Sequence, residues 1–208
     1  YLPGVGSGVG RLPDARLTLS NFSGSQINRA PHFAGGRVRA RVPDLGDHYS
    51  VELWLWNGLP HDARAVTGFF FSRGSDGDPT ARGEHLGIAG ASMTNEAGRL
   101  VLFNGNDHNQ SLVGRIPLAL RTWHHVVLVR AGPKVMVLLD GKPDFEGELE
   151  STVPPGETMV FLGGRCDNVA NLEGRLDEVA LYGRALSSEE VASHFQSSGL
   201  STPVTTSV

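Results

Sequence analysis

The stretch GRLDEVALYGRALSSEEV (174–191) changes its period halfway along, and that change decides what kind of fold this chain adopts. Across 175–182, Asp177, Val179 and Leu181 fall on one face of an extended strand, and Leu176, Glu178, Ala180 and Tyr182 on the other. An acid that shares a face with core residues requires a partner. From Ser187 the period becomes helical. Ser187 and Glu190 form a capping box, Val191 and Phe195 lie four apart on one face, and Gly199 is placed to end a helix of about ten residues. It is the one substantial helix the sequence predicts.

Upstream, the signals are those of strands. VMVLLDGK (135–142) alternates and then breaks at Asp140-Gly141, a dipeptide suited to the positive φ angles of a tight hairpin turn. TWHHVVLVR (122–130) is apolar and β-branched with a Trp near its start, which predicts a strand buried on much of both faces. FLGG (161–164) reads as another strand end. The 27 Gly and 12 Pro are spread along all 208 residues as turn punctuation, so the chain reads as all-β, a single domain without internal repeats. Residues 15–199 form that domain. Residues 1–14 read as a flexible arm and 200–208 as a Ser/Thr-rich tail.

Taken together, WHHV, the strand ending in LDGK, LGG and G-x-L-DEV-x-LY-x-RALS-x-EEV resemble the laminin-G-like domain of the concanavalin A-like superfamily over roughly residues 32–196. The resemblance implies a two-sheet antiparallel jelly-roll sandwich with one short C-terminal helix. Members of that superfamily bind glycans, proteins or calcium, or act as glycoside hydrolases, so the fold leaves function open. The wording VPDLGDHYSVELWLWNGLP with VTGFFFSRG, HLGI, LVLFNGN and FLGGRCDN is similar to the version appended to large surface or secreted proteins of planctomycete-type bacteria. The family's usual first strand is not recognisable here. Either one sheet has an open edge or Ala15–Phe22 fills it.

Charge and composition exclude several classes. A formal charge of −4 without a basic run argues against a nucleic-acid surface. Arg37, Arg39 and Arg41 alternate on one strand face, as a solvated outer face would. Cys166 is the single cysteine, so no internal disulfide and no cysteine-based zinc site forms. No apolar run is long enough to span a bilayer, and no signal segment stands at the start. The chain opens at Tyr1 without Met, as a processed product or an excised piece would.

Four strands end in polar, Gly-containing turns: FFFSRG (69–74), HLGIAG (85–90), LVLFNGN (100–106) and FLGGRCDN (161–168). In a jelly roll such ends meet at one rim or on the concave face, which makes Arg73, Asn104, Asn106, Arg165, Asp167 and Asn168 candidates for a ligand site. Amides and guanidinium groups hydrogen-bond vicinal hydroxyls, and an aromatic surface packs on sugar C–H faces. His85, Trp54 and Trp56 are the aromatic candidates. Trp54 reads as core, and Trp56 stands between core and ligand contact. Against this, Asn-Gly and Gly-Asn simply make turns and arginines are commonly solvated.

For metal, the resemblance implies that Asp177 helps hold a structural calcium with main-chain oxygens around Phe33 and Gly35. Ala34 stands where the family carries an acid, and calcium takes about six to eight oxygens, usually with two or more carboxylates. The alternative for Asp177 is to accept backbone amides. Ser75-Asp76-Gly77-Asp78 lacks the length and terminal Glu of a calcium loop. Glycosidases of the superfamily place two carboxylates on one strand, about 5 Å apart when they retain configuration, and no such run occurs here. Glu146, Glu148 and Glu150 read as a solvated edge, and His124-His125 as framework histidines. The sequence therefore predicts a non-catalytic extracellular, cell-surface or periplasmic module, lectin-like and most suited to carbohydrate. The alternative is a structural or self-assembling protein that uses the sandwich and its N-terminal arm for protein contacts.

Overall fold

The computed structural model describes residues 30–200, together with two short strands at 9–11 and 204–205. In chain order the strands are β1 (Val9–Arg11), β2 (Pro31–Ala34), β3 (Val38–Arg41), β4 (His48–Asn57), β5 (Val66–Gly74), β6 (Gly83–Ala89) and β7 (Arg99–Phe103). They continue with β8 (Ser111–Pro117), β9 (Thr122–Ala131), β10 (Lys134–Leu139), β11 (Lys142–Glu148), β12 (Met159–Leu162), β13 (Glu173–Tyr182), helix α1 (Ser188–Ser197) and β14 (Val204–Thr205). They pair antiparallel into two sheets. The back sheet runs β1-β2-β13-β4-β9-β10-β11, with β14 on β9, and the front sheet runs β3-β12-β5-β6-β7-β8. This is an all-β jelly-roll sandwich with one helix among the described residues. Val9–Arg11 and Val204–Thr205 are strands within segments that the sequence reads as arm and tail. β1 pairs with β2 at the edge of the back sheet. Ala15–Phe22 lies outside the described residues.

Alternation builds the core. From the back sheet, Val51, Leu53 and Leu55, Val126 and Leu128, and Val135 and Val137 point inward against Phe71, Leu86, Ile88, Leu100, Leu102 and Val160 of the front sheet. At one end a polar group crosses the same space. Glu84 on β6 accepts the Arg130 Nε at 2.5 Å and its Nη2, while the Tyr49 hydroxyl donates to the other carboxylate oxygen. Arg130 Nη1 also donates to the carbonyls of Gly132 and Leu149.

The central strands of the back sheet are buried on both faces because α1 lies across the outside. Its capping box forms as expected. Phe195 packs on Trp54 and His125, with ring centroids 6.1 and 5.8 Å apart, and Val191 packs with Val127 and Leu138. Both expected framework histidines have partners. His124 Nδ1 lies 2.8 Å from Asp140 and His125 Nε2 lies 2.7 Å from Glu52.

One expectation fails at β13. Asp177 pairs with Trp54 but Ala180 pairs with Glu52, so one residue is extra, and Glu178 takes φ +48 to accommodate it. The bulge resets the alternation. Leu176 points into the core together with Val179 and Leu181, while Asp177 falls on the outer face, and its Oδ1 accepts the Glu178 N–H. At the opposite edges of the sandwich, Asp144 on β11 reaches across to β8, where its Oδ1 accepts the N–H groups of Arg115 and Ile116.

Glu52 joins helix to sheet, since the Tyr182 hydroxyl, His125 and His194 of α1 all meet its carboxylate at 2.7–3.0 Å. Burial pushes the Glu52 carboxyl up, but the bonds from His125, Tyr182 and His194 outweigh it and bring the pKa down to about 2. A depressed acid stabilises above its unfolded pKa, here 4.5, and that contribution is lost as pH falls toward 2. Urea unfolding should therefore show Glu52→Gln weaker by about 2–3 kcal/mol at pH 7 and less pH-dependent than the parent between pH 5 and pH 2.

Candidate functional site

The outer face of the front sheet carries the residues that alternate with its core. Ser72 of β5, His85 and Gly87 of β6, Val101 and Phe103 of β7 and Phe161 of β12 point away from the sandwich. Two loops, 75–82 and 163–171, lie over this face. On the β3–β12 side they fill it. Phe161 is buried against Ala81 and Cys166, with the Arg37 guanidinium 4.4 Å above its ring. Toward β7 and β8 the cover is thinner, and Phe103 and Val113 are half-buried. Gly87 lets the Phe69 ring lie directly on the sheet there, because a Cβ at that position would come within 2.7 Å of it.

Arg165 stands at the boundary between the filled and open halves. Its guanidinium lies 5.2 Å from the centroid of Phe69 and 5.6 Å from that of Phe103. Its Nε and Nη2 donate to the two oxygens of Asp167 at 2.8 and 2.6 Å, a two-pronged pair that holds both groups in plane. Burial pushes the Asp167 carboxyl up, yet Arg165 outweighs it and holds the group below the usual carboxylate range. Asp167 is therefore ionised.

The loop that presents this pair is itself strained and braced. Asn168 at φ +67 and Ala170 at φ +50 occupy the left-handed region, at a cost of about 1–3 kcal/mol each. Asn171 offsets that cost. Its Oδ1 accepts the Arg165 N–H, and its Nδ2 donates to Gly35 O at 2.8 Å and to Asn168 at 2.9 Å. Arg64 then ties the Asn171 carbonyl and Glu173 together at 3.0 Å each. Val169, 52 % exposed, sits at the tip.

Beneath Arg165 a serine and a histidine meet without forming a reactive centre. His85 Nε2 lies 2.8 Å from the Ala81 carbonyl, which makes it the protonated nitrogen and leaves Nδ1 to accept from the Ser72 hydroxyl at 2.8 Å. Ser72 Oγ also accepts the Cys166 N–H. Burial lowers the His85 pKa to about 4, so the ring is neutral, and both side chains are closed to solvent. Burial raises the Cys166 thiol to about 11. It is a packing group.

Of the residues the sequence singles out, His85, Arg165, Asp167 and Asn168 come together here. Asn104 and Asn106 are close by but act as braces. Asn104 is buried and accepts the Gln110 N–H, while Asn106 Nδ2 and N–H donate to the carbonyls of Pro79 and Thr80. Arg73 is elsewhere. It points into the sandwich, with its guanidinium 4.6 Å over the Tyr49 ring and Nη1 bonded to Gly46 O. A bulge between Phe69 and Phe71 shifts the register of β5 on β6, and no rule of sequence spacing anticipates it. Trp56 is on the opposite outer face, under the Arg175 guanidinium at 4.3 Å and in one cluster with Trp54 and Trp123. Two contributors escaped the sequence reading, Phe69 and Phe103. The alternation of Arg99, Val101 and Phe103 held the signal for the second.

The residues proposed for calcium do not fit a shared ion. Phe33 pairs with Gly174, three residues from Asp177, a separation of roughly 10 Å along the strand. Its ring is packed in the core against Gly163. The Gly35 carbonyl is already taken by Asn171. No group of three or more His, Cys, Asp or Glu suited to a metal occurs among the described residues.

Two twisted antiparallel sheets packed face to face, with loops over one outer face and a helix over the other, define a jelly-roll domain of the lectin type. The family model described as the concanavalin A-like lectin/glucanases superfamily, of laminin-G type, matches residues 34–192, and the chain belongs to that family. Its fold is shared with domain 4 of AbnA, an extracellular GH43 arabinanase from Geobacillus stearothermophilus solved with arabinotriose. The TM-score is 0.59 at 22 % identity over 91 % of this chain and 87 % of that one. It is shared too with a putative carbohydrate binding protein from Bacteroides ovatus (TM-score 0.56, 15 % identity, 78 % of this chain and 45 % of that one). Trypanosoma rangeli sialidase in complex with sialic acid is a third (TM-score 0.62, 17 % identity, 93 % of this chain and 29 % of that one). No curated protein matches the chain in sequence.

Since the Asp177 region offers no joint site, excess EDTA should leave the thermal midpoint unchanged, and added calcium should not raise it. A calcium-dependent rise of several degrees, abolished by Asp177→Asn, would contradict this placement.

Proposed function

We propose that the domain is a non-catalytic extracellular module that binds carbohydrate on the outer face of its front sheet, beside Arg165 and Asp167. The observation that carries the reading is the Arg165–Asp167 pair seated on Phe69 and Phe103. Both side chains are more than nine-tenths buried, and at their remaining exposed edge a guanidinium with unused N–H groups and an ionised carboxylate stand side by side, which is what adjacent sugar hydroxyls require. The half-buried Phe103, beside Val113, supplies an apolar surface for the C–H face of a ring. Fixing the pair before a ligand arrives saves the ordering cost of binding.

A hydrolytic role is less well supported. Glycoside hydrolysis needs a carboxylic acid that still holds its proton near neutral pH. On this face Asp167 is pushed the other way, and Asp76 is engaged by Arg37 at 2.6 Å and Arg39 at 2.5 Å. Among the structural relatives, one is solved with arabinotriose, one with sialic acid, and one is described as a putative carbohydrate binding protein. The arabinanase is described as extracellular, which supports the same setting for this domain.

Affinity electrophoresis through gels containing different polysaccharides tests the proposal. At least one polysaccharide should retard the protein. Phe103→Ala and Asp167→Asn, each checked for an unchanged circular dichroism spectrum, should weaken that binding by about tenfold or more, since tenfold corresponds to about 1.4 kcal/mol. Retardation that both variants keep in full would move the site off this face.

A further inference from the structure

We infer that the ligand of this face is an anionic polysaccharide, one carrying carboxylate or sulfate groups, bound across the strands of the front sheet; the inference rests on the reading of that face as the glycan site. Six arginines lie on it: Arg37, Arg39 and Arg41 along β3, Arg99 on β7, Arg115 on β8, and Arg165 on the covering loop. Val38 and Ala40 pack inward, which leaves their alternating arginines outward, and Leu100 and Leu102 do the same for Arg99. Against the six stand Asp76 and Asp167. The face is thus strongly positive in a chain whose formal charge is −4.

The pairing pattern shows which charges remain for a ligand. Asp76 is shared by Arg37 and Arg39, and Asp167 is held by Arg165. Arg41, Arg99 and Arg115 have no acid within ion-pair distance among the described residues. At the margins, Arg82 faces Asp107 at 3.8 Å, while Asp78 is turned to Thr80 and Glu157 to Ser75. The opposite outer face is mixed, with Glu52, Glu146, Glu148 and Glu178 beside Arg175 on the back sheet. The chain's two lysines, Lys134 and Lys142, are also there, so every basic group on the front face is a guanidinium. That planar fork matches carboxylate and sulfate oxygens two at a time.

Spacing favours a polymer over a single sugar. Neighbouring strands are about 4.8 Å apart, so the four steps from β3 to β7 separate Arg41 from Arg99 by roughly 19 Å across the sheet, and the pairing register sets them roughly 20 Å apart along the strands as well. A ligand that meets both ends must be extended, and charge repeated along it is what three unpaired arginines reward. Because the face is open to water, the attraction is screened by salt, with a Debye length of about 8 Å at 0.15 M.

The test is affinity electrophoresis and titration calorimetry with polygalacturonate and dextran sulfate as the anionic probes, arabinan and dextran as neutral ones, and oligo-dT as a charged non-sugar. The paired variant Arg41→Gln/Arg99→Gln removes only side chains without protein partners, and Arg184→Gln, on the helix side, is the control. Polygalacturonate or dextran sulfate should bind, with affinity about tenfold or more lower in the paired variant and in 0.3 M NaCl, and unchanged in the control. The better of the two anionic probes distinguishes carboxylate from sulfate. Neutral arabinan or dextran bound as tightly as the anionic probes, and weakened by Phe103→Ala, would overturn the anionic inference while leaving the glycan face standing. No binding of any polysaccharide would overturn both. Oligo-dT bound as tightly as polygalacturonate would show charge recognition without a glycan and would also overturn it.

Discussion

The carboxylate of Glu84 is the point at which the two sheets are fastened to each other. It belongs to the front sheet, yet it is held by Arg130 and Tyr49 of the back sheet, and all three are buried. An ion taken out of water in this way is tolerable only if its hydrogen bonds are complete, and losing one member of such a pair typically costs about 3–5 kcal/mol. Apolar contacts between sheets are tolerant of small slides. A charged pair is not, so this group sets the relative position of β6 and β9.

The two outer faces are used differently. On the back, α1 spends the exposed side of the sheet on packing, and Trp54, Trp56 and Trp123 are consumed as an aromatic layer beneath it. Among the described residues the front face has no helix, and its cover is loop polypeptide whose strained residues are anchored through Asn171, while the parts left uncovered carry arginine. Of the seven positive-φ residues other than glycine among the described residues, Ala81, Asn168 and Ala170 lie in the two loops that cover this face.

Much of this was legible in the residues. The strand at 122–130 buried on both faces, the turn at Asp140-Gly141 and the capped helix from Ser187 all follow from local patterning, because each depends on neighbours a few positions away. The failures share a cause. At Asp177 the face was misread because Glu178 adopts a left-handed conformation that its side chain does not advertise. Arg73 and Arg165 look alike in sequence, each at the end of an apolar strand, but one enters the sandwich and the other leaves it. Only register decides which. The aromatic seat of Arg165 joins residues about sixty to one hundred positions away in the chain, on strands whose outward faces become defined when both sheets close.

The order of strands in the back sheet carries a further consequence. β13 lies between β2 and β4, at the middle of the sheet, yet it comes after twelve other strands in the chain. During synthesis at about 5–20 residues per second, β4 must wait for roughly 120 residues to be added before its neighbour exists. Through that interval the long apolar strand offers a bare edge, and the aromatic layer beyond it lacks the helix that will cover it. A nascent chain of this kind is a candidate for chaperone custody until its last quarter emerges, and its folding rate will reflect that distant pairing more than any local propensity.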